Sequence, residues 1–103
     1  MTPNQVVAYN IKRIRKLRGW TQEEAAAQLE HHLGERWSNA VWSAAERSVG
    51  GTRVRHFDAD ELVALSKAFE VPITWWFLEP VDREPEVPPS IVERELTERA
   101  AIA

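Results

Sequence analysis

The chain has no cysteine, which excludes disulfide cross-links and thiolate metal sites and leaves nothing at odds with a reducing cytoplasm. Long apolar runs are missing too. None exceeds four residues, residues 75–78 being one of them, against the roughly 20 that a membrane-spanning helix needs. The N-terminus carries no apolar signal core, so the expected location is the cytoplasm. Histidine is scarce, and His31 and His32, being adjacent, point to different sides of a helix while His56 falls in a loop. No zinc site and no cofactor are therefore expected. No Ser, His and Asp arrangement and no phosphate-binding loop occurs, and the carboxylates are scattered, which argues against an enzyme.

What the chain does contain is enough apolar material for one small core. With 103 residues of which 44% are apolar, it can form one domain and an appendage, not two cores. Its apolar residues recur at helical spacing, with no alternating strand pattern, so the fold class is all-α. Thr2, Pro3 and Gln5 start a first helix whose inward stripe is Val7, Ile11, Ile14 and Leu17, ended by Gly19. Thr21 and Glu24 form a capping box for a second, alanine-rich helix that runs to Gly34, a residue suited to the left-handed conformation after a helix end. Ser38 is a good N-cap for a third helix running to about Ser48. Asp58 and Glu61 open a fourth with Leu62, Leu65 and Phe69 on one side, and Pro72 starts a short fifth, ITWWFL, that Pro80 ends.

The third helix has two unlike faces. Trp42 and Ala45 share one, whereas Asn39, Ser43 and Arg47 recur at a spacing of four on another, free to touch something polar. At this point the chain resembles the Cro and repressor type of helix-turn-helix regulators, the xenobiotic-response-element family. The resemblance covers about residues 6–78 and rests on IKRIRKLRGWTQEEAA (11–26), SNAVWSAAER (38–47) and FDADELVALSKAFEVPITWWF (57–77) in that order and spacing. It implies a five-helix Cro/repressor-like domain over residues 1–78 whose third helix enters the major groove of double-stranded DNA. By the same resemblance Asn39, Ala40, Ser43 and Ala44 face bases, and Thr21, Gln22 and Ser38 face phosphates. Arg53 and Arg55, in the loop that follows the groove, are expected at phosphates too. Arg15 and Glu46 are expected to form an ion pair between the first and third helices, fixing the angle of the recognition helix.

The chain departs from the family pattern in several places. About six extra residues around HHLGER (31–36) lengthen the turn between the second and third helices. Ala25 stands for the usual leucine and Trp42 for the usual isoleucine or valine, a pair that reads as compensating at constant core volume. Ser48 stands where a glycine commonly ends the helix, with Gly50 and Gly51 following, so the third helix is expected to exit late.

A net charge of −3 suits a DNA binder only once it is divided by region. Residues 1–78 hold ten Lys or Arg against nine Asp or Glu, and residues 79–103 hold three against seven. Lys12, Arg13, Arg15, Lys16 and Arg18 fall within seven residues, either as local positive surface for phosphates or as a solvated helix face. Residues 79–89 form a proline-rich acidic linker. Residues 90–103 open on the capping box Ser90 and Glu93 and place Ile91, Val92 and Leu96 on one side of a short amphipathic helix or tail. That segment is too short to be stable alone, so it docks on its own domain, pairs with another chain or frays.

Trp20 and Trp75 match family core positions, and Trp37 reads as a lid over the long turn. One short helix is not expected to bury both Trp75 and Trp76, so Trp76 or Phe77 is expected on an exposed apolar patch that contacts a dimer mate or another partner. The leading expectation is a sequence-specific transcriptional regulator acting as a homodimer on a pseudo-palindromic site. The alternative is a protein-binding module, an antitoxin or adaptor, on the same scaffold, and alanine at two base-facing positions leans toward it.

Overall fold

Four α-helices and one 3-10 helix make up the fold in the computed structural model, which describes residues 1–51 and 53–80. They are α1 (Pro3–Leu17), α2 (Gln22–Leu33), α3 (Asn39–Arg47), α4 (Ala59–Phe69) and a 3-10 helix (Ile73–Phe77), with no strand among the described residues. The tail over residues 90–103 and all of the linker except Glu79 and Pro80 lie outside the described residues.

The helix starts are where side chains can satisfy the free amides. Thr2, Thr21 and Asp58 each accept a hydrogen bond from the backbone three residues on, and the side chains of Gln5, Glu24 and Glu61 each accept one from the cap residue's amide, closing three capping boxes. Ser38 caps α3 by accepting from the Val41 amide at 3.1 Å. Gly19 and Gly34 both have positive φ, which explains why α1 and α2 stop at glycine. The third helix ends at Arg47, within a residue of the expected Ser48, and Ser48 as C-cap keeps a right-handed φ of −65° while its Oγ donates to the Ala45 carbonyl at 2.8 Å. A side-chain cap does the work of the missing glycine.

One core joins all five elements, with Ile11 and Ile14 of α1, Ala25 and Leu29 of α2, Trp42 and Ala45 of α3, Leu65 and Phe69 of α4, and Trp75 and Trp76. Ala25 and Trp42 are both fully buried in it, so a small residue on α2 coexists with a large one on α3. Leu17 does not belong to the inward stripe. It is 53% exposed at the last turn of α1, where none of the other described helices covers that face.

The expectation for Trp76 is also corrected, since Trp76 is fully buried and Trp75 nearly so. In a 3-10 helix, with three residues per turn, neighbouring side chains diverge by about 120°. Trp76 accordingly packs edge-on against Phe69 of α4 and donates its indole N–H to Ser66 Oγ at 2.9 Å. Trp75 turns toward α1, where the Arg13 guanidinium lies 5.7 Å from its ring centroid. A segment wedged between two helices has two buried sides. Of the expected patch only Phe77 is exposed, at 46%, beside exposed Ile73 and Leu78.

Asn10, fully buried on α1, holds that segment in place. Its Nδ2 donates to the carbonyls of Trp76 at 2.9 Å and Leu78 at 3.1 Å, which the end of a 3-10 helix leaves without backbone partners. Asn10→Ala is expected to lower stability by about 1–3 kcal/mol in urea unfolding, the cost of leaving buried acceptors unsatisfied. Asn10→Asp should cost more at neutral pH, because a carboxylate there would face carbonyl oxygens.

Candidate nucleic-acid interface

The polar surface of α3 follows from which of its side chains are pulled inward. Trp42, Ala45 and Glu46 are buried, and the opposite side presents Asn39, Ala40, Ala44 and Arg47 to solvent. Ser43 is half-buried at the edge of that surface. Thr21 and Ser38, the caps of α2 and α3, are exposed, with their hydroxyl oxygens accepting from the Glu24 and Val41 amides.

Glu46 is the pivot of this arrangement. Arg15 of α1 donates to it twice, from Nε to Oε2 at 2.5 Å and from Nη2 to Oε1 at 3.0 Å. Trp42 Nε1 adds a bond to Oε2 at 2.6 Å, and Gln22 Nε2 of α2 one to Oε1 at 3.3 Å. The remaining Arg15 nitrogen, Nη1, donates to the Trp20 carbonyl at 2.8 Å, just before α2 begins. One carboxylate thus ties α3 to α1 and α2 together. Burial by itself opposes ionisation of Glu46, but the hydrogen bonds from Arg15 and Trp42, the Arg15 charge and the Gln22 bond outweigh it, so the carboxyl titrates below its ordinary value of 4.5.

The ion pair is therefore present between the two expected residues, and two further donors join it. Trp42 is one. Its indole N–H reaches the carboxylate one helical turn on, a signal available in the sequence as a tryptophan four residues before a buried glutamate. Gln22, expected at a phosphate, is half-buried and spends one of its two amide N–H groups on Glu46.

The loop between α3 and α4 separates its two arginines. Arg53 is exposed. Arg55 is turned inward, contrary to the expectation that it faces phosphates. Its Nη2 donates to Glu61 Oε2 at 2.6 Å, and its guanidinium lies over the Trp37 ring at 4.4 Å and near Phe57 at 5.3 Å. The turn before α3 supplies the cause, since it delivers Trp37, buried and 5.3 Å from the Trp42 ring, as a surface on which a planar cation stacks. The first turn of α1 also holds this loop, Asn4 Oδ1 accepting from the Phe57 amide at 3.0 Å and Gln5 Nε2 donating to the Val49 carbonyl at 3.4 Å. Sequence spacing did not reveal Asn4, Gln5 or the Trp37 stack, because each pairs residues far apart in the chain.

Among the described residues no three His, Cys, Asp or Glu side chains gather as a metal site, and no helix is long and apolar enough to cross a membrane. Comparison with protein-family models, with curated proteins and with solved structures finds no match for this chain.

Removing only one partner of the buried pair should be far worse than removing both. Glu46→Ala is expected to cost about 3–5 kcal/mol in denaturant unfolding, and the double replacement Arg15→Met with Glu46→Leu markedly less, since the first strands a charge. The pH dependence has a definite sign. Because the folded Glu46 carboxyl titrates below its unfolded value, its contribution is complete above about pH 4.5 and is lost as pH falls through the lower folded value. Across that acidic window the parent chain should lose stability more steeply than Glu46→Gln.

Proposed function

We propose that this chain is a sequence-specific DNA-binding transcriptional regulator with a five-helix Cro/repressor-like helix-turn-helix architecture, the 3-10 helix serving as the fifth element. The observation that carries the reading is the division of α3, whose exposed Asn39, Ala40 and Ala44 oppose a buried side locked by Glu46 to two other helices. A helix that must present side chains to base edges needs that fixed pitch, because a shift of about 1 Å breaks a base contact.

In this reading Asn39 and Ser43 hydrogen-bond base edges, while Ala40 and Ala44 admit thymine methyl groups closely. Thr21, Ser38 and one amide N–H of Gln22 line up with phosphates, and Arg53 supplies salt-sensitive affinity that carries no base preference. Arg55 acts instead by holding the loop that carries Arg53. One copy reads few base pairs, and the exposed Ile73, Phe77 and Leu78 offer an apolar surface to a second copy. A two-fold dimer would then bind half-sites about 34–36 Å apart on a pseudo-palindromic duplex. The protein-binding alternative, an antitoxin or adaptor, draws on the same apolar surface but leaves the polar face of α3 without a use.

Selection of bound sites from a random duplex pool tests DNA binding, half-site spacing and symmetry together. Asn39→Ala should change the base preferred at one position of each half-site. Arg53→Ala should weaken all sequences alike and lower the salt slope by about one. Arg55→Ala should lower stability while leaving that slope nearly unchanged. Absence of any salt-dependent binding to duplex DNA by the parent chain would exclude this function.

A further inference from the structure

A groove of about 540 Å³ runs between the C-terminal half of α1 and the end of α3, away from Asn39 and Ala40. Of its four cations Lys12, Lys16 and Arg47 are exposed and Arg13 is buried, and the one carboxylate in its wall, Glu46, is already taken by Arg15. Between the cations lie apolar surfaces of Tyr9, Leu17 and Val49. The exposure of Leu17, anomalous for a residue on the inward stripe of α1, is explained if another segment covers it. A cationic rim around an apolar floor fits an acidic peptide with an apolar side.

The chain carries such a peptide. Residues 79–103 hold seven Asp or Glu against three Lys or Arg, and Ile91, Val92 and Leu96 fall at spacings that place them on one side of a helix. The described chain also leads toward the groove. The Leu78 carbonyl is held by Asn10 of α1, and Arg13, which lines the groove one turn further along α1, lies 5.7 Å from the Trp75 ring. The 23 residues beyond Pro80 reach up to about 75 Å when extended, whereas the stretch of α1 from Asn10 to Leu17 is only about 10 Å long.

We propose that residues 90–103 dock in this groove of their own chain, with Ile91, Val92 and Leu96 on the apolar floor and the carboxylates of Glu95 and Glu98 toward Lys12 and Lys16. A helix of that length gains stability only against a surface, and the charges make the contact selective and sensitive to salt. The docked segment screens Arg47, which stands on the same helix as Asn39 and Ser43, so the tail also sets how much positive surface α3 shows to a polyanion. The contact holds whether or not α3 reads DNA.

The absence of native cysteine allows a direct test on the full chain. A nitroxide attached at Ala101→Cys should broaden the amide signals of Lys12, Lys16, Val49 and Gly50 in an isotope-labelled chain at low ionic strength. The broadening should disappear with Lys12→Glu and Lys16→Glu, both exposed positions, and return when Glu95→Lys and Glu98→Lys are added. A mixture of nitroxide-bearing unlabelled chain with isotope-labelled chain lacking the nitroxide should show none. No broadening at the groove overturns the proposal, as does broadening that survives the lysine reversals. Broadening found only in the mixture assigns the groove to a second copy's tail and equally overturns it.

Discussion

The buried carboxylate of Glu46 is the constraint on which the arrangement of helices depends. A lone carboxylate in this core would cost several kcal/mol in lost hydration, so its presence makes sense only with its lone pairs occupied. Both oxygens receive two donors each, drawn from α1, α2 and α3 itself. Apolar packing alone would tolerate rotation of α3 about its axis, because Trp42 and Ala45 could slide against other apolar atoms. The three directional bonds that reach Glu46 from α1 and α2 do not tolerate it. The pitch of the helix is thereby coupled to charge, and the side of α3 that faces outward is set by the side that is tied down.

A second network settles the loops on either side of α3. The turn before it brings Trp37 into the core, where its ring meets Trp42 on one side and the Arg55 guanidinium on another. Arg55 in turn bonds Glu61, which also closes the capping box of α4. The turn thus carries its own anchor, and the anchor takes an arginine away from the surface. Arg47 on α3 and Arg53 in the loop after it remain exposed.

How legible all this was in the sequence depends on the range of the interaction. Caps were readable, because Thr2, Thr21, Ser38 and Asp58 act over three residues, and the apolar spacing gave the order of the helices. The Arg15 and Glu46 pair came from resemblance rather than from spacing, since 31 residues separate its members. Leu17 lies on the apolar stripe but beyond the reach of the other described helices, and Trp76 lies in a turn whose three-fold geometry gives it a different neighbour from Trp75. Arg55 looked like surface because the ring beneath it comes from 18 positions upstream. For Trp76 and Arg55 local pattern gave the element, and a partner on another element decided which way the side chain turned.

The central claim, that the outer side of α3 is a DNA-reading surface fixed from within, can be examined by mapping where duplex DNA touches the chain. Titrating a random 20-base-pair duplex into the isotope-labelled full chain at low salt should shift the amide resonances of Ser38, Asn39, Ala40, Ser43 and Ala44, with Thr21 and Arg53, while Glu46 and Trp76 stay nearly still. Shifts confined to the 3-10 helix and α4, or no shifts at all under those conditions, would contradict the account.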